Sequence, residues 1–194
     1  MGTRDSAGLA RTSTADGLYL HGYFAPAPGA RLAVLHIHGF EGNFYENHFV
    51  HVLARRIPAA GLSFLSGNTR GSGRDTDFRT TDGAVRRVGA RYELFEESHL
   101  DISGWIGFLR EQGYPDIILQ GHSLGTSKVL RYMFEGQYRS AVRRIVLLAP
   151  WDRAGFVKSL GAGVVRELLD SAAAKVKADR FDQLVAAAGL DLCG

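Results

Sequence analysis

The segment DIILQGHSLG, residues 116 to 125, constrains this chain more than any other ten residues. An apolar run (DIILQ), short enough for a strand buried on both faces, leads with no spacer into Gly121-His122-Ser123-Leu124-Gly125. A helical stretch then continues to about Phe134. A strand that becomes a helix without a loop needs a tight, strained turn, and side chains beside the central residue would collide with the neighbouring strand and helix. Gly121 and Gly125 meet that demand, with His122 filling the turn between strand and serine. The turn lifts Ser123 clear of its surroundings, where a weakly nucleophilic hydroxyl is open to a substrate and a base. The helix behind it presents backbone N–H groups and the positive end of its dipole to a developing oxyanion. Ser123 is therefore the candidate nucleophile. The competing reading is a glycine-rich turn with a capping serine, since the chain holds 24 glycines.

The rest of the chain supplies the setting such a turn requires. Gly17 to Phe24 alternates in polarity, as a half-buried hairpin strand does, and Ala25-Pro26-Ala27-Pro28-Gly29 stops it. Arg31 to His38 (RLAVLHIH) is nearly continuously apolar, the signature of a parallel strand covered on both faces. A helix is expected from about Tyr45 to Ala60, a short strand at Leu62 to Leu65, a helix from about Leu94 to Gln112, and a strand from Arg144 to Ala149. Between them, residues 67 to 92 are polar and too long for a simple connection. Strand and helix alternate three times after the hairpin. The expected fold class is α/β, a three-layer sandwich with a mostly parallel sheet. Residues 1–16 are expected to be a flexible N-terminal segment, residues 17–152 the core, and residues 153–194 a helical, cap-like region.

Composition excludes more than it assigns. The chain has 194 residues, 45% hydrophobic and 22% charged, which suits one soluble domain. The net charge is +3, and the arginine pairs at 55–56, 86–87 and 143–144 are scattered along the chain. No basic stripe with interleaved aromatics points to nucleic acid. The single cysteine, Cys193, has no partner for a disulfide. No stretch approaches the roughly 18 apolar residues of a membrane span, and no signal-peptide pattern is visible, so a cytoplasmic protein is expected.

His38-Gly39-Phe40 follows the strand RLAVLHIH. Acyl transfer needs two donors for the oxyanion, one of which comes from the loop after this strand. The backbone N–H groups of Phe40 and Leu124 are assigned to that role. At this point the sequence resembles the α/β-hydrolases, particularly bacterial esterase- and lysophospholipase-like members. The matching stretches are LHIHGFEGNFYEN, NTRGSG (residues 68 to 73), DISGWIGFL (residues 101 to 109) and LQGHSLGTSKV (residues 119 to 129). The resemblance implies an eight-stranded sheet, a Ser-His-acid triad and hydrolysis of a small-molecule ester or related acyl compound, with no cofactor and no metal.

The chain also departs from the family pattern, which places its acid and then its histidine after strands later than the nucleophile strand. No histidine follows His122, and the strand RIVLLA is the sixth of the eight expected. Asp152, just after that strand, stands where some members keep their acid; a helix N-cap is the plainer reading. These departures imply a truncated hydrolase, or a sixth-strand edge covered by a second copy of the chain. Two rival functions follow: a non-catalytic binding protein that keeps the pocket without the triad, and a metal-dependent hydrolase using His36 and His38. Core packing explains those two histidines more simply, since no second cluster of ligands appears. The segment from Arg70 to Asp82 is read as a solvated loop, with recognition of an acidic substrate as its alternative. Asp101, Trp105 and Phe108 are expected to stabilise a helix and its core face.

Overall fold

Ala33, Leu35 and Ile37 alternate with Val34 and His36 along β3 (Leu32–Ile37), and the two sets face different helices. Val34 packs with Val50, Leu53 and Ile57 of α1 (His48–Ala59), whereas Leu35 and Ile37 join a core containing Ile102, Trp105, Ile106 and Leu109 of α2 (Ser98–Glu111). That second face also takes Val129 and Tyr132 of α3 (Leu124–Glu135). Helices thus cover both faces of the sheet, giving the three layers expected. The computed structural model describes residues 6–178, which divide into two units between Pro150 and Trp151.

In the first unit the sheet has six strands in the order β1-β2-β4-β3-β7-β8. β1 (Gly8–Ser13), β2 (Tyr19–Ala25) and β4 (Ser63–Gly67) are joined by antiparallel pairings, while β4, β3, β7 (Asp116–His122) and β8 (Val142–Leu148) run parallel. The chain leaves β3 toward β4 on one side and later returns to pair β7 on the other. The carboxyl ends of β3 and β7 therefore flank a topological switch point, where open α/β sheets form their binding crevice.

Three expectations need correction. Residues 8–13 are not part of a flexible segment but form β1, registered with β2 over six residue pairs, Gly8↔Phe24 to Ser13↔Tyr19. The strand escaped notice because it lies at the sheet edge: only Ala10 is buried, and the backbone ladder rather than an apolar pattern holds it. Residues 1–5 lie outside the described residues. The polar stretch 67–92 carries a hairpin of its own, β5 (Thr76–Arg79) with β6 (Val85–Val88), whose Phe78 and Val88 reach the main core. The C-terminal helical region is interrupted: α4 (Arg153–Ser159) and α5 (Ala162–Lys177) are separated at Gly161, whose φ of 81° breaks the helix. The remainder of that expected helical region, residues 179–194, lies outside the described residues, as does Cys193.

β8 is the edge of the sheet among the described residues, and Ile145 and Leu147 on it are each 39% exposed. No described helix is long and apolar enough to cross a membrane.

Candidate active site

β7 delivers Ser123 to the carboxyl end of the sheet in a backbone conformation that L-residues avoid, with φ 52° and ψ −122°. Such strain survives only where the surroundings over-determine it. Here they do. The Ser123 N–H donates to the Leu148 carbonyl of β8 at 3.0 Å, and its own carbonyl accepts from Thr126 N–H at 3.0 Å and from the Thr126 hydroxyl at 2.6 Å. The flanking glycines are required by space: a Cβ on Gly121 would collide with the Gly125 backbone, and one on Gly125 with the carbonyls of Ile37 and His38. The strand–turn–helix geometry read from the sequence is the one observed.

Phe40 and Leu124, read from the sequence as oxyanion donors, follow directly on Gly39, which lies against Ser123, and on Ser123 itself. Leu124 is the first residue of α3, so its N–H has no partner within the helix. The Phe40 N–H likewise has none among the described residues. Gly39 brings the Phe40 loop against the serine, because a Cβ on Gly39 would lie 2.9 Å from Ser123 Cβ and 3.4 Å from Ser123 Oγ. Both N–H groups are thus without a partner among the described residues.

His122, His36 and His38 are engaged by other groups. His122 lies on the α1 face of β7 and packs on Phe49, ring centroids 4.9 Å apart. His36 is fully buried between Phe49 and Phe64, and its Nδ1 meets the Gln120 amide at 2.9 Å. Burial, with His122 nearby, pushes its pKa down to about 4. His38 is also buried; its Nδ1 donates to the Gly39 carbonyl at 2.8 Å and its Nε2 accepts from Thr69 N–H at 3.0 Å. Burial, and then the charge of Lys128, lower its pKa to about 3. Both ring nitrogens of His38 are thus committed, which leaves none for a metal. Among the described residues no group of three or more His, Cys, Asp or Glu is arranged to hold a metal ion, and no histidine hydrogen-bonds to Ser123. Asp152 caps α4 in the second unit, its Oδ1 accepting from Gly155 N–H at 2.8 Å.

Arg70 departs from the reading of residues 70 to 82 as a solvated or substrate-binding loop, although Asp75, Asp77, Arg79 and Asp82 of that segment are exposed. Its side chain is 1% exposed and pairs with Asp101 at 3.0 Å, Asp16 at 3.0 Å and Glu97. Its backbone N–H adds a bond to Asp101 Oδ2 at 2.8 Å. Asp101 is therefore more than a helix residue: it anchors the segment after β4 to α2, as does Trp105 by donating to the Asn68 carbonyl at 2.8 Å. The sequence reading missed a second buried pair altogether, Lys128 with Glu93 at 2.6 Å. One signal was available. Lys128 occupies the same helical stripe as Leu124, Val129 and Tyr132, where a solvated lysine would not belong.

A family profile for the alpha/beta hydrolase fold matches residues 33–194. The chain belongs to the alpha/beta hydrolase family. Solved structures of this family resemble it closely in fold and distantly in sequence. An esterase from Pyrococcus furiosus is 17% identical, with a TM-score of 0.62 over 93% of this chain and 63% of that one. The alpha/beta hydrolase GrgF from a Penicillium species is 18% identical, with a TM-score of 0.58 over 85% and 55%. Est1E from Butyrivibrio proteoclasticus, solved with ferulic acid bound, is 21% identical, with a TM-score of 0.56 over 78% and 55%. This alpha/beta hydrolase chain spans less than two thirds of each of those proteins. No curated protein matches it in sequence.

Proposed function

We propose that Ser123 is the nucleophile of a serine hydrolase that cleaves carboxylic esters or related acyl bonds through an acyl-enzyme. The observation that carries this reading is the pairing of a strained serine, φ 52°, with two unpartnered backbone N–H groups, Phe40 and Leu124, at a sheet switch point. In the reaction Ser123 Oγ attacks the acyl carbon as its proton passes to a base, and the carbonyl oxygen becomes the oxyanion held by the two N–H groups. Collapse expels the leaving group with a proton, and water then repeats the sequence on the acyl-serine. No cofactor or metal enters these steps.

A second reading is favoured by one specific observation. None of the described histidines hydrogen-bonds to Ser123. A chain in that condition keeps the crevice and loses most of the activation, so it would act as a binding protein. Intact-mass analysis after exposure to a fluorophosphonate separates the two. One adduct per chain in the parent and none in Ser123→Ala supports the hydrolase; a folded parent that takes up no adduct supports the binding protein.

A further inference from the structure

Lys128 and Glu93 form a buried ion pair whose place in the fold is not explained by stability. Lys128 is 0% exposed and Glu93 7%, and their N–O distance is 2.6 Å. Taking both charges out of water costs several kcal/mol each, so such a pair is weak grounds for stability, and a pair of apolar residues of similar volume often serves as well. Something else about its position must be asked for.

From the pair a series of hydrogen bonds leads to the candidate oxyanion site. The Lys128 ammonium, held by Glu93, donates to Thr69 Oγ1 at 3.2 Å. With that lone pair engaged, the Thr69 hydroxyl proton is free to point at His38 Nε2, 3.1 Å away, beside the Thr69 N–H that donates to the same nitrogen at 3.0 Å. An imidazole that accepts at Nε2 carries its proton at Nδ1, and that N–H donates to the Gly39 carbonyl at 2.8 Å. In the trans peptide that joins Gly39 to Phe40, the carbonyl and the Phe40 N–H point in opposite directions. Holding one aims the other.

The geometry points to a positioning role for Lys128 and Glu93: acting through Thr69 and His38, they fix the Gly39–Phe40 peptide so that the Phe40 N–H faces the oxyanion site beside Ser123. This rests on the serine-hydrolase reading for its consequence, although the hydrogen-bond series itself does not. Every donor in the series faces the same way, so each bond polarises the next. The ammonium has a second effect. It makes an imidazolium unfavourable, consistent with the depressed pKa of His38, whereas a protonated Nε2 would turn from acceptor to donor, losing the bond from the Thr69 N–H and reversing the one with the Thr69 hydroxyl.

The test replaces the ion pair by an apolar pair, Glu93→Leu with Lys128→Met, so that no charge is left buried alone. A second variant, Thr69→Val, deletes only the hydroxyl, and Thr69→Ser restores it. Two quantities are read: the rate of fluorophosphonate labelling at Ser123, split into maximal rate and half-saturation, and the ¹⁵N shifts of the His38 imidazole. The relay requires a maximal rate lower by about 10-fold or more in the double variant and in Thr69→Val, with half-saturation little changed and Thr69→Ser near the parent. It also requires that the His38 Nε2 resonance move in both variants, as its hydroxyl donor is lost or reoriented, while the Thr69 N–H keeps the proton at Nδ1. A folded double variant with parental labelling and an unchanged His38 spectrum overturns the proposal. Absence of labelling in the parent counts against the serine-hydrolase reading instead, and the His38 spectrum then decides the relay: an unmoved Nε2 resonance in the variants overturns it, a shifted one upholds it.

Discussion

Gly39 and Ser123 approach so closely that a single methyl group on the glycine would sit 2.9 Å from the serine Cβ and 3.4 Å from its hydroxyl oxygen. It would also lie 3.1 Å from the His122 carbonyl, which belongs to the rigid end of β7. The neighbour least able to move is thus backbone, and the loop carrying Phe40 has to withdraw. Gly39→Ala is expected to leave the fold intact at a cost of about 1–3 kcal/mol, the usual range for overpacking. Labelling of Ser123 by a fluorophosphonate should fall by about 100-fold, as for loss of one oxyanion donor. Parental labelling kinetics in the folded variant would show that the Phe40 loop is not part of the site.

The strain at Ser123 is itself measurable. A residue with φ 52° and ψ −122° is held there by the Leu148 and Thr126 hydrogen bonds, and only glycine is at ease in such a conformation. Ser123→Gly should therefore raise stability by about 1 kcal/mol in urea denaturation, the relief of strain being partly offset by the greater freedom of glycine in the unfolded chain. Ser123→Ala keeps a Cβ and should gain little. If glycine is no better than alanine, the backbone at this turn is relaxed and the geometry is not a sign of function.

How much of this was legible in the sequence depends on which forces hold each part. β3 and β7 are buried parallel strands whose apolar runs identify them directly, β8 is marked by the run RIVLLA although it is the exposed edge among the described residues, and the Ser123 turn is dictated by sterics that glycine spacing reveals. β1 was invisible because it is an edge strand with polar side chains, held by backbone bonds that leave no mark on residue type. Arg70 was misread for a related reason. Arginine amid Gly, Asp and Thr looks like solvated loop, and only the fold brings Asp16, Asp101 and Glu97, respectively 54, 31 and 27 positions away, around it. Lys128 and Asp101 could have been flagged from their places in apolar helical stripes, but their partners could not have been named.

Arg70 and Asp101 offer a sharp test of that buried hub. Asp101 is fully buried and takes two bonds from Arg70, through the backbone N–H and through Nε. Arg70→Met deprives the buried carboxylate of its counter-charge, and the expected loss is about 3–5 kcal/mol. Arg70→Met combined with Asp101→Leu removes both charges and should recover most of that loss. A double-mutant cycle by chemical denaturation measures the difference. Losses that simply add would mean the two side chains do not act as a pair.

Stability toward acid follows from three buried groups whose effects oppose each other. Burial holds His36 and His38 neutral down to about pH 4 and about pH 3, whereas in the unfolded chain they take up protons near 6.5. Their contribution is complete above 6.5 and is lost as the pH falls toward those folded values. Asp101 behaves in the other sense: burial raises it to about 6 against 3.8 unfolded, despite the Arg70 charge, so the folded state gains a proton first and is favoured as pH drops through 6. Between about pH 6 and pH 4 the unfolded chain therefore binds two protons to the native state's one. Stability should fall by about 1.4 kcal/mol per pH unit across this window, the slope of one net proton. His36→Gln removes one of the two histidines and should leave the window nearly flat. Urea denaturation at pH 6, 5 and 4 measures both slopes; equal slopes in parent and variant would mean that His36 is not held neutral by its burial against Phe49 and Phe64.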